Sequence, residues 1–128
     1  MLPAFLQPET DVREAGVGSS LDLGNQDRPA SLLITLGITH VLEQQSIDVS
    51  IFGSEDGVTW PAKSLIAFSQ KFYCGTYQVL LDLSKTPEMR FLRARWTVSR
   101  WGRGDLKPLF GFYIFVQRAQ ARAVGSAA

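Results

Sequence analysis

Between Ser46 and Pro61 the chain reads S-I-D-V-S-I-F-G-S-E-D-G-V-T-W-P. Ile47, Val49 and Ile51 alternate with Asp48 and Ser50, the period of a strand with one face buried and one face in water. Ser54-Glu55-Asp56-Gly57 then sets short polar side chains, which can bond their own backbone, ahead of a glycine that tolerates positive φ. The chain is therefore expected to reverse there. Trp60 follows, and its ring is expected to lock the returning chain against the sheet.

The same alternation recurs on both sides of this stretch. Upstream, 19–23 is a short strand closed by the turn cluster Gly24-Asn25-Gln26-Asp27, and 31–39 is a long one with Leu32, Ile34, Leu36 and Ile38 on one face. Downstream come a short, irregular strand over 63–68 and a strand over 76–83 with Tyr77, Val79, Leu81 and Leu83 on one side. In 89–98, Leu92, Ala94, Trp96 and Val98 oppose Phe91, Arg93, Arg95 and Thr97. The last strand, 109–117, is apolar on both faces, so it is either central and covered or has one face on a partner.

Seven to eight short strands with turns between them predict an all-β chain, an antiparallel β-sandwich of jelly-roll-like form. Residues 19–117 form the sandwich in this reading. Residues 1–18, with Pro3, Pro8, Glu9, Asp11 and Glu14, read as an N-terminal arm, and the Ala-rich 118–128 as a C-terminal tail.

At 128 residues the chain is one domain, large enough to bury a core without a disulfide or metal. Its one cysteine, Cys74, has no intrachain partner, and with no basic neighbour it is expected to be a buried free thiol. No run approaches the ~20 apolar residues of a membrane span. Met1 to Leu6 is apolar but short, lacks a basic start and is interrupted by prolines, so it does not read as a signal peptide and a cytoplasmic location is expected. The formal charge of +1 conceals an asymmetry: residues 1–83 carry four basic against ten acidic residues, residues 84–128 nine against two. Such halves attract each other or a charged partner.

Ser54-x-Asp56-Gly57-x-x-Trp60 resembles the S-x-D-G-x-x-W turn of discoidin-like and other galactose-binding-like jelly rolls, and Met89 to Trp96 is similar to the strand near the end of those domains that carries an aliphatic residue followed by arginine. The resemblance covers under a fifth of the chain and implies ligand binding by loops at one end. The paired cysteines of many secreted members are missing, and no calcium site maps onto these residues.

One histidine, His40, and one cysteine support neither a metal cluster nor a nucleophile–base pair, and no glycine-rich phosphate loop is present. The reading is therefore a non-enzyme without cofactor or metal. Arg90, Arg93, Arg95, Arg100, Trp101, Arg103 and Lys107 form a basic and aromatic group that either contacts a partner or covers a sheet face, pairing with acids such as Asp48. A net charge near zero argues against nucleic acid.

Two functions follow. The first is a structural or accessory subunit docking on a larger protein assembly, such as a virion-like particle or the soluble face of a membrane complex. Leu2, Phe5, Leu6, Arg93, Arg95, Arg100, Trp101 and Arg103 would be its contacts. The alternative is a carbohydrate- or small-ligand-binding module, with Trp60, Tyr73 and Trp101 stacking on the ligand.

Overall fold

The computed structural model describes residues 2–24, 29–42, 45–101 and 108–119. Among these residues there are nine β-strands and no helix: β1 (Ala4–Val12), β2 (Gly16–Val17), β3 (Leu21–Asp22), β4 (Ser31–Val41), β5 (Gln45–Ser54), β6 (Ile66–Ala67), β7 (Gly75–Asp82), β8 (Phe91–Arg100) and β9 (Phe110–Arg118). They form two antiparallel sheets. Sheet A has the order β1-β9-β4-β7, and sheet B the order β2-β8-β5-β6 with β3 also on β8.

The alternations read from sequence hold where they are strict. Leu32, Ile34, Leu36 and Ile38 of β4 and Phe110, Phe112, Ile114 and Val116 of β9 are buried from sheet A. Ile47, Val49 and Ile51 of β5 and Leu92, Ala94 and Trp96 of β8 are buried from sheet B. All belong to one hydrophobic cluster, to which each fully buried aliphatic or aromatic side chain contributes about 1.5–3 kcal/mol. Trp96 meets Phe112 edge-on across it, with ring centroids 5.2 Å apart. Gln45, 1% exposed, opens β5 and ties it to the start of β9. Its side-chain NH2 donates to the Leu109 carbonyl, and the Leu109 N–H donates back to Gln45 Oε1 at 2.9 Å. A buried amide with both ends bonded costs little and pins the register.

Four expectations are corrected. Residues 4–12 are a sheet strand rather than an arm: β1 pairs with β9 from Ala4↔Val116 to Val12↔Phe110, with register shifts around Gln7. Residues 16–17 likewise pair with β8. Pro8 and the irregular register hid this strand, because neither fits a clean period of two. The short strand expected over 63–68 is only Ile66–Ala67, although the Leu65 and Phe68 N–H groups also bond β5 carbonyls. The count among the described residues exceeds seven to eight because β2, β3 and β6 have two residues each. Cys74 is exposed, since it lies in the loop before β7 and outside the alternation that buries Leu81. The tail beyond residue 119 lies outside the described residues.

Candidate functional site

The turn after β5 is built as its residues dictate. The Ser54 hydroxyl, fully buried, lies 2.6 Å from the Thr59 carbonyl and 3.0 Å from Asp56 Oδ1, and accepts the Gly57 N–H at 2.9 Å. Asp56 Oδ1 accepts the N–H groups of Val58 and Thr59, each at 2.8 Å. These bonds favour the ionised carboxylate: the Thr59 N–H foremost, then the Val58 N–H and the Ser54 hydroxyl, hold Asp56 below the usual carboxylate range. Gly57 takes φ +78°, over the Phe91 ring.

This turn delivers Trp60 onto the outer face of sheet B. The Arg93 guanidinium lies 4.2 Å from the Trp60 ring centroid, and Arg95 lies 5.9 Å from that of Phe52. Arg90 grips Asp22 with two bonds, Nε to Oδ1 at 2.8 Å and Nη2 to Oδ2 at 2.9 Å, and this partner holds its pKa above the usual arginine value. The basic strand thus covers its own sheet, though not by pairing with Asp48. Register sets Asp48 opposite Thr97, and Gln70 Nε2 bonds Asp48 at 3.2 Å, while Arg93 and Arg95 lie against rings.

At the other end of β5 and β8 is a second aromatic group. Phe72 bridges Tyr73 and Trp101, with centroids 6.3 Å and 5.9 Å away, and Tyr73 and Trp101 are 74% and 58% exposed. Trp60, beside Arg93, is separated from Trp101 by most of strand β8, roughly 25 Å at ~3.3 Å per residue. Tyr73 and Trp101 therefore share a surface that Trp60 does not join. Phe72 does not stand out as a site residue in the sequence; its place between Lys71 and Tyr73 in an aromatic loop was the available signal.

The third surface is the outer face of sheet A. Phe5 packs edge-on against Phe115 at 5.0 Å and Tyr113 at 6.0 Å. With Pro8, Glu9 and Thr35 they line an open groove of about 430 Å³. Two of its polar groups are already engaged: Glu9 accepts the Thr39 hydroxyl at 2.9 Å, and the Thr35 hydroxyl accepts Gln78 Nε2 at 3.2 Å. Such a groove suits an apolar side chain and offers no nucleophile beside a base. The apolar second face of residues 109–117 was the sequence signal for it.

Of the expected partner contacts, Phe5 is exposed in this groove, whereas Leu6 is 2% exposed in the core and Leu2 packs against that core. The alternation of β1 turns Leu6 inward and so removes it as a contact. Arg93 and Arg95 lie on sheet B, Arg100 ends β8 half-buried, Trp101 is exposed, and Arg103 lies outside the described residues, as does Lys107. Among the described residues no three His, Cys, Asp or Glu side chains are grouped to hold a metal ion, and no helix is long and apolar enough to cross a membrane. No protein-family model matches the sequence, and no curated protein matches it.

Proposed function

We propose that this protein is a non-catalytic structural or accessory subunit, a cytoplasmic β-sandwich that docks onto a larger protein assembly. The observation that carries this reading is the groove of Phe5, Pro8, Tyr113 and Phe115, because an open aromatic-walled surface on the outside of a sheet gains free energy when a partner covers it. The N-terminal strand supplies one wall, so docking and the N-terminal segment remain linked. The test is mass determination of the protein purified gently from its source. The native chain travels in a large complex with identifiable partner chains, and a Phe5→Ser/Phe115→Ser variant with an unchanged circular dichroism spectrum travels without them. A variant that keeps its partners overturns the reading.

A ligand-binding module of galactose-binding-like type is the second reading, favoured by the S-x-D-G-x-x-W turn and by exposed Tyr73 and Trp101 sharing Phe72. In this reading Trp101→Ala abolishes binding on a glycan array. A native protein silent on the array ends it.

A further inference from the structure

Sheets that end in long, regular, uncharged strands recruit further strands, and proteins blunt such edges with proline, charge, bulges or shortness. Three of the four edges among the described residues are blunted here. β1 carries Pro8, Glu9 and Asp11 and has two register shifts, and the outer strands of sheet B, β2 and β3 on one side and β6 on the other, have two residues each.

β7 is the exception. Its eight residues, Gly75-Thr-Tyr-Gln-Val-Leu-Leu-Asp82, contain no proline and only one charge, Asp82. Its register with β4 is unbroken from Ser31↔Asp82 to Ile38↔Gly75. Among the described residues no strand pairs with its other edge. On its solvent face Thr76, Gln78 and Leu80 are exposed, Leu80 at 58%, beside the half-buried Leu33 of β4.

We infer that the open edge of β7 pairs antiparallel with β7 of a second copy of this chain. The strand is compatible with itself. Residues 75–81 are uncharged, and a two-fold axis at any residue from Thr76 to Leu80 sets Asp82 opposite a neutral residue, while the Lys71 ammonium lies over the Tyr77 ring, 4.1 Å from its centroid. Two-fold pairing is also the commonest way in which identical chains associate. Two four-stranded sheets then become one continuous eight-stranded sheet, within the range that twisted sheets reach. Leu80 of each copy gains cover from the other, and both aromatic grooves lie on the outer faces of the joined sheet. One pair of eight-residue strands buries less than the ~1,200–2,000 Å² of a stable interface, so the dimer is expected to be weak, dissociating in the micromolar range.

This inference does not depend on the docking reading, because the purified chain alone tests it. Sedimentation velocity from about 1 to 200 µM, a range set around that affinity, is expected to show monomer giving way to dimer. Leu80→Lys combined with Thr76→Lys puts charge on an exposed edge while keeping the Gln78–Thr35 hydrogen bond, and is expected to weaken dimerisation at least tenfold with the melting temperature of the dilute monomer unchanged. Hydrogen exchange of the native protein supplies a readout independent of the variant: the alternate amides of 76–81 that face away from β4 gain protection as concentration rises, and those of β6 do not. A native chain that stays monomeric throughout, a variant that dimerises as tightly as the native protein, or β7 amides protected only when a different protein is added would each overturn self-pairing.

Discussion

Tyr113 of β9 lies over Gly37 of β4, its ring filling the volume that a side chain at position 37 would occupy. The two residues face each other in register on the outer side of sheet A, and the ring that covers Gly37 also forms a wall of the groove. A glycine weakens a strand interior unless something packs over its backbone, and here the ring does so.

Adding a methyl group at this position forces the ring aside. Gly37→Ala is expected to lower stability by about 1–3 kcal/mol, the cost of overpacking. In a Tyr113→Ala background the same change is expected to raise stability by about 0.5–1 kcal/mol, because only the backbone preference of alanine remains. Denaturant unfolding of the four proteins of this double-mutant cycle reads the change of sign.

Ser54 is a buried hydroxyl with partners on both sides of the turn. Ser54→Ala leaves the Thr59 carbonyl and the Gly57 N–H without it, and is expected to cost about 1–3 kcal/mol by chemical unfolding. Loss of near-ultraviolet signal at lower denaturant than the far-ultraviolet signal, absent when Trp60 is replaced by Phe, would locate the damage in the turn.

The Asp56 carboxylate is stabilised in the folded turn and not in the unfolded chain, so its folded pKa is the lower of the two. Its contribution is fully present above the ordinary aspartate pKa and is lost as pH falls through the depressed folded value. Stability measured from pH 6 down to pH 2, a range flanking roughly the usual carboxylate pKa, is expected to fall less steeply in Asp56→Asn than in the native protein. Parallel slopes would show that the carboxylate does not contribute.

Leu6 and Phe5 are neighbours with opposite duties. Leu6→Ala removes a core side chain and is expected to cost about 2–5 kcal/mol. Phe5→Ala removes an exposed ring with two edge contacts and is expected to cost about 1 kcal/mol. Thermal unfolding separates them, and the stable Phe5 variant then isolates the groove from the fold.

The long strands were legible because each alternates strictly: 31–39, 76–83 and 89–98 differ from β4, β7 and β8 by at most two residues at each end. The turn at Ser54 was legible because Asp56-Gly57 leaves few other conformations. β1 was not, since Pro8 and the shifts at Gln7 break the period, and pairing with β9 is a long-range fact that no local pattern carries. The groove was half-legible. Tyr113 and Phe115 announced an apolar second face, but Phe5 and Pro8 join it only through the β1–β9 register. The expected ion pairs of the arginine strand depended on register in the same way, and a shift of two residues separates an acid partner from an aromatic one.

The position of β9 bears on the order in which the molecule can come together. It is the last strand in the described chain, and it lies inside sheet A, between the first strand and β4. A ribosome makes β1 more than a hundred residues before the end of its partner, so for most of synthesis β1 has no neighbour and β4 has only β7. Sheet B meets the core-facing side of a half-built sheet until Phe110, Phe112, Ile114 and Val116 arrive together. Completion is thus a single late event, slow because its contacts are distant in sequence. A chain cut short before residue 110 has no middle to its first sheet, and its surviving strands present greasy, hydrogen-bond-hungry flanks to the quality-control machinery of the cell.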